Sequence, residues 1–235
     1  MVIAANLKTN LTRAKTAQYV DALEAFLKQH AIGQKVLVFP ATSNLVTSQA
    51  HVTLGVQNAY PTQNGAFTGE IGLEQLEEFA IKTILIGHSE RRHVLGESQE
   101  TLVSKFNFFK EQGFEILYCI GEPLEVREAG EEAMMAYLEA QYAGIDTTYE
   151  KLIIAYEPVW AIGTGKTPTL EDIESLHAKL KAKSKAPLLY GGSVNMKNYQ
   201  EVLALQNVDG VLVGGASLVV EDFAQMCLFA QTLNK

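Results

Sequence analysis

The run Leu152-Ile153-Ile154-Ala155-Tyr156, broken by Glu157-Pro158, decides how this chain is read. It is apolar without alternation, so it predicts a strand covered on both faces, as in a parallel sheet. Seven similar runs recur along the chain: Val2-Ile3-Ala4-Ala5, Val36-Leu37-Val38-Phe39, Val52-Thr53-Leu54-Gly55-Val56, Thr83-Ile84-Leu85-Ile86, Ile116-Leu117-Tyr118-Cys119-Ile120, Pro187-Leu188-Leu189-Tyr190 and Gly210-Val211-Leu212-Val213. Between them lie helical patterns with one apolar face. Tyr19, Leu23, Phe26 and Leu27 form one such stripe, and Leu102, Phe106 and Phe109 another, with Gly113 where a C-cap glycine belongs. Thr169 can cap a helix carrying Leu170, Ile173, Leu176 and Leu180, and Phe223, Met226, Cys227, Ala230 and Leu233 mark the last one.

Eight strand–helix units in 235 residues leave about 29 residues for each, which suits a (β/α)₈ barrel in one domain spanning residues 1–235. An open doubly wound sheet usually has a glycine-rich turn after its first strand, and Asn6-Leu7-Lys8 has no glycine. Nothing in the composition marks a linker. The net charge of −8 argues against a nucleic-acid surface, which needs a basic face. Any anion must therefore be held by local devices such as a single lysine, backbone N–H groups and helix ends. Cys119 and Cys227 are too few for a disulfide framework and lack metal-ligand spacing. No run approaches the roughly 18 apolar residues of a membrane helix. Met1 to Asn6 has none of the regions of a signal peptide, so a soluble, cytoplasmic protein is expected.

The chemistry collects where the strands end. The residues after the eight runs are Asn6, Pro40, Gln57, Gly87-His88, Gly121-Glu122, Glu157-Pro158, Gly191-Gly192-Ser193 and Gly214-Gly215. A barrel gathers these on one face, the face that carries active sites, with Lys8 alongside. Double glycines can simply make tight turns, but the pairs after strands seven and eight stand where this fold most often binds phosphate. Gly163-Thr164-Gly165-Lys166-Thr167 looks like the end of a nucleotide-binding loop, yet that motif needs a glycine where Trp160 stands. Pro158 to Lys166 instead suits a lid, with apolar residues to exclude water and prolines Pro158 and Pro168 at its ends.

The run Tyr156-Glu157-Pro158-Val159-Trp160-Ala161-Ile162-Gly163-Thr164-Gly165-Lys166 resembles the catalytic loop of the triosephosphate isomerase family. Gly87-His88-Ser89-Glu90-Arg91-Arg92, Tyr190-Gly191-Gly192-Ser193-Val194, Val213-Gly214-Gly215-Ala216-Ser217-Leu218 and Gly65-Ala66-Phe67-Thr68-Gly69-Glu70 resemble other stretches of it, in family order from Asn6 to Leu218. The resemblance implies a TIM barrel that interconverts dihydroxyacetone phosphate and glyceraldehyde 3-phosphate without metal or cofactor. It implies Glu157 as the base and a neutral His88 as the electrophile. Lys8 and Asn6 would face the same oxygens, and Glu90 would pair with Lys8 or share in proton transfer. Gly163, Ser193, Gly214 and Gly215 would offer N–H groups to phosphate. A helix beginning at Ser89 would disfavour an imidazolium at His88. The long loop 58–69, with Thr68, would enter a partner subunit and make a homodimer. Leu7 and Thr9 stand where the family usually has tryptophan and a larger apolar residue, and Pro168 where it usually has alanine. Two other readings of the same pattern are a barrel enzyme on a different small phosphorylated sugar and a non-catalytic phosphate-binding protein. An aldolase would normally carry its Schiff-base lysine inside a strand, whereas Lys8 lies beyond one.

Overall fold

The computed structural model describes residues 1–162 and 167–233. Its strands are β1 (Val2–Asn6), β2 (Lys35–Phe39), β3 (Val52–Leu54), β4 (Thr83–Ile86), β5 (Glu115–Ile120), β6 (Leu152–Tyr156), β7 (Leu188–Tyr190) and β8 (Gly210–Val213). All pairings are parallel, in the order β3-β2-β1-β8-β7-β6-β5-β4. A single bridge from Val56 to Ile84 joins the two ends of that order, so the sheet closes on itself. The (β/α)₈ barrel expected from the sequence is the fold. The third strand is shorter than its apolar run. Gly55 packs on the Phe39 ring so closely that a Cβ there would lie 2.3 Å from Cε1, and only Val56 beyond it reaches the next strand.

Alternation along each strand sorts two cores. Val2, Ala4, Leu37, Phe39, Leu85, Leu117, Cys119, Ile153, Ala155, Leu189 and Leu212 fill the barrel interior. The residues between them face the helices, among them Ile3, Ala5, Val36, Val38, Ile154 and Tyr156. Cys119 is therefore interior packing and Cys227 is buried under the last helix, as their positions in the sequence suggest.

The helices are α1 (Arg13–Gln29), α2 (Leu73–Glu77), α3 (Gln99–Glu111), α4 (Leu124–Glu128), α5 (Glu131–Ala140), α6 (Leu170–Lys181), α7 (Tyr199–Ala204) and α8 (Val220–Thr232). Most of each expected stripe is buried: Tyr19, Leu23 and Leu27 in α1, Leu102, Phe106 and Phe109 in α3, and Phe223, Met226, Cys227 and Ala230 in α8, while Phe26 and Leu233 are only half-buried. Burying each Leu or Phe contributes about 1.5–3 kcal/mol, so a charge at Leu23 or Phe106 would detach its helix from the barrel. Gly113 follows α3 at φ +71, the left-handed conformation that a C-cap glycine supplies. Thr169 caps α6 by accepting from the Asp172 N–H at 3.1 Å, while the Asp172 carboxylate accepts from the Thr169 N–H. Among the described residues, no helix is long and apolar enough to cross a membrane.

Candidate active site

The alternation that fills the barrel also aims the site. Ala4, Ala155, Leu189 and Leu212 point inward, so Asn6, Glu157, Gly191 and Gly214, two residues further along, line the mouth. They border a cavity of about 450 Å³, together with Lys8, His88, Ile162, Gly192, Ser193 and Gly215. Elements more than 200 residues apart in sequence thus bring the expected amide, lysine, imidazole, carboxylate and glycine turns to one space.

Glu157 is 2% exposed. Its Oε1 lies 3.1 Å from His88 Nε2, and its Oε2 accepts from the Ser89 N–H at 3.0 Å. Burial alone would raise its pKa; the attraction and hydrogen bond of His88, the Ser89 N–H and the charge of Lys8 outweigh burial, so the carboxyl titrates below its usual range. His88 is the mirror image. Burial pulls it down, and contact with Glu157, helped by Glu90, leaves it raised. The Glu90 N–H points at His88 Nδ1 at 3.2 Å, which makes Nδ1 the acceptor and puts the ring proton of the neutral form on Nε2, facing Glu157. Two influences therefore act on His88. Burial and the Lys8 charge favour the neutral ring, and the carboxylates of Glu157 and Glu90 oppose it.

Lys8 stands at φ +51, a left-handed conformation uncommon for a residue with a side chain. Hydrogen bonds hold it there. Its N–H donates to Asn6 Oδ1 at 3.1 Å, and its carbonyl accepts from Gln57 Nε2 at 2.8 Å, which also binds the Phe39 carbonyl. Its ammonium pairs with Glu90 at 2.5 Å, the salt bridge expected of that glutamate. Its stem passes Gly214, where a Cβ would lie 3.5 Å from Lys8 Cε. The lysine charge is thus set beside the β8 glycine turn.

The glycines divide by what they touch. A Cβ at Gly191 would come within 2.9 Å of Glu157 Cγ, and one at Gly192 within 2.2 Å of the Tyr190 hydroxyl and 2.9 Å of Pro158 Cγ. The β7 pair therefore makes room for the carboxylate and the start of the lid. Among the described residues nothing lies within 4 Å of the Cβ position of Gly215, which opens onto the cavity. Ser193 donates to the Ala161 carbonyl at 2.7 Å, so its hydroxyl ties the β7 turn to the lid segment. Gly163, with the rest of residues 163–166, lies outside the described residues. Thr68 is exposed and does not line its own chain's cavity.

The family model described as triosephosphate isomerase matches residues 1–230. The chain belongs to that family. A triosephosphate isomerase of Sulfurimonas denitrificans is 69% identical over 235 residues, covering 100% of this chain and 98% of that protein. Those of Sulfurovum sp. and Wolinella succinogenes are 60% identical over 226 residues and 55% over 228, each covering 96% of this chain and 99% and 98% of theirs. Within this triosephosphate isomerase fold, four features were not read from the sequence: the Ser89 N–H on Glu157, the Gln57 amide under Lys8, the left-handed Lys8 and the carboxylate of Glu122. The last is 0% exposed and accepts from Tyr156 Oη at 2.9 Å and from Trp160 Nε1 in the lid at 3.0 Å. Its place at the end of the β5 run was the only hint. Among the described residues, no group of three or more His, Cys, Asp or Glu is placed to hold a metal.

Proposed function

We propose that the chain interconverts dihydroxyacetone phosphate and D-glyceraldehyde 3-phosphate by moving a proton between adjacent carbons through an enediolate. The observation that carries this is the Glu157–His88 contact at 3.1 Å on the wall of a cavity that also holds Lys8 and the two glycine turns. A buried carboxylate titrating below its usual range is deprotonated at neutral pH, so Glu157 stands ready as the base. Its oxygens meet His88 and the Ser89 N–H. Turning to a substrate carbon frees Nε2–H of His88 to donate to the substrate oxygen. It also removes the larger of the two influences that raise His88, so that burial favours the neutral ring against Glu90 alone. Asn6 and the Lys8 ammonium, paired with Glu90, stabilise negative charge on the oxygens. Gly163, Ser193, Gly214 and Gly215 hold the phosphate through backbone N–H groups. Closure of Pro158 to Lys166, with Ile162 on the cavity wall, excludes water and makes Glu157 more basic.

The same reading makes the protein a homodimer. Loop 58–69 carries Phe67, 40% exposed and stacked on Tyr60 at 4.2 Å, and the exposed Thr68 beside it. A second cavity of about 460 Å³ beside the site, lined by Lys8, Gln57, His88, Glu90, Arg91 and Leu95, is where the partner's loop would seat. Leu95 is exposed there, and its neighbour Val94 is exposed as well. A cytoplasmic setting accords with two buried free thiols.

The deciding experiment is a coupled assay of triose phosphate isomerisation on purified protein alongside Glu157→Gln. Activity in the wild type and a loss of roughly 10²–10⁴-fold in the variant are expected. A folded, inactive wild type, or a fully active variant, would overturn the reading. Light scattering tests the dimer, and a fully active monomer would refute it.

A further inference from the structure

The β5 exit, Ile120-Gly121-Glu122, is the surface on which Glu157 and the lid are laid. The Ile120 carbonyl accepts from the Glu157 N–H at 2.8 Å, and the Glu122 carbonyl accepts from the Val159 N–H at 3.1 Å. Between them, Gly121 lies so close to Glu157 that a Cβ there would fall 1.8 Å from the Glu157 carbonyl oxygen. Whatever fixes Gly121 therefore fixes the backbone of the base.

What fixes Gly121 is one side chain. Gln141, the C-cap of α5, is 7% exposed. Its Oε1 accepts from the Gly121 N–H at 2.9 Å, and its Nε2 donates to the Gly121 carbonyl at 2.9 Å. A carboxamide offers a donor and an acceptor in one plane, as a neighbouring strand's peptide group does, so it satisfies a residue that has run past the end of the sheet. Gln141 is itself held. Its carbonyl accepts from Tyr118 Oη at 2.7 Å and from Gln99 Nε2 at 2.9 Å. Arg92 then joins this group to the other wall of the site. Its guanidinium donates to Tyr118 Oη, Gln99 Oε1 and the Cys119 carbonyl, and to the carbonyl of Gly87, the residue before His88.

We propose that Gln141 is a positioning residue for the base: by clamping both backbone groups of Gly121 it sets where Glu157 stands relative to His88. This rests on the reading of Glu157 as the base. The network explains why two elements from different strands keep a 3.1 Å contact, since Arg92 and Gln141 hold the backbones on either side of it. Gln141 touches neither the cavity nor a reacting atom, so its effect is on the geometry of proton transfer and not on phosphate binding.

The experiment is steady-state kinetics on triose phosphate with the full-length protein, comparing wild type, Gln141→Leu and Gln141→Glu across pH. Misplacing a reacting group by a fraction of an ångström to an ångström costs about 10- to 100-fold, so Gln141→Leu should lose kcat on that scale while KM and inhibition by inorganic phosphate stay within about twofold. A protonated glutamic acid restores one donor and one acceptor, so the kcat of Gln141→Glu relative to wild type should climb as pH falls. That comparison decides the matter if Gln141→Leu does not fold. A folded Gln141→Leu with unchanged kcat, a loss carried in KM alone, or a Gln141→Glu ratio that is flat with pH would overturn the proposal. An inactive wild type would instead sink the isomerase reading, and the positioning role with it.

Discussion

Glu157 and Glu122 leave the ends of adjacent strands, β6 and β5, and both carboxylates are shut from solvent, yet their surroundings push them opposite ways. Burial raises both. At Glu157 it is overcome by an imidazole, a backbone N–H and a nearby ammonium, and the group is held low. At Glu122 the Tyr156 hydroxyl and the Trp160 indole both donate to Oε1, Oε2 has no hydrogen-bond partner among the described residues, and these bonds with the Arg127 charge do not offset burial, so the group is held high. Depth alone does not make a base. The charges within reach of the carboxylate decide whether it waits ionised to take a proton or serves as a hydrogen-bonding anchor for the lid.

The same substitution at both sites should separate these roles most widely. Glu157→Gln is expected to remove the roughly 10²–10⁴-fold contribution of the base. Glu122→Gln keeps an acceptor for Tyr156 and Trp160 and should stay within about tenfold of wild type in kcat. Equal losses in the coupled assay would break the distinction.

A second comparison removes the charge that holds Glu157 low. In His88→Gln the imidazole is gone and burial is less opposed, so the carboxyl of the free enzyme should titrate higher. Because the ionised form is the base, the acid limb of the kcat/KM profile moves to higher pH, on top of a loss of about 100-fold from the missing electrophile. An acid limb left in place would mean that Ser89 and Lys8 set the pKa without His88.

Much of this arrangement was legible in the sequence, and the reason is geometric. In a barrel, a residue's distance from the end of its strand determines whether it reaches the mouth. Asn6, His88, Glu157 and Gly214 could be placed from the apolar runs alone, and α3 and α6 from their stripes and caps. What the runs cannot show is which backbone groups meet. The Ser89 N–H on Glu157, the Gln57 amide under Lys8 and the Gln141 clamp on Gly121 all pair a side chain or carboxylate with a peptide group, and every residue has one. The glycines show the same limit. Gly191 and Gly192 read as a phosphate loop, yet their tightest contacts are with Glu157, Tyr190 and Pro158, which no local pattern encodes.

The opposed pKa values also make opposite contributions to stability, an effect on folding smaller than those on catalysis. Glu157 is lowered in the folded state, so its contribution is present above the unfolded pKa, near 4.3, and is lost as pH falls through the folded value. Glu122 is raised, so its contribution is greatest below the unfolded pKa and is lost as pH rises through the folded value. Glu122→Gln cannot ionise and should therefore gain stability relative to wild type as pH rises from 4 toward 8. Urea unfolding at several pH values checks the sign. A stability difference that is flat with pH would show that Glu122 is not held high.

The smallest effect is expected at the far end of the lid. Trp160 ties its beginning to Glu122, whereas Pro168, buried and next to the N-cap Thr169, stiffens its end. Proline fixes its own φ and keeps Thr167 extended, so fewer conformations lead into α6. Pro168→Ala should release that restriction. The unfolded chain gains freedom, costing about 0.4–1 kcal/mol of stability, and the lid should exchange between open and closed forms at a rate changed by a few fold. Relaxation dispersion on Trp160 reads the exchange, and viscosity dependence of kcat reads product release. Because Pro168 touches neither carboxylate, the acid limb set by Glu157 should not move. Identical exchange and release rates would leave the Glu122 end as the part of the lid that governs its motion, and the proline as a local stabiliser of the α6 cap.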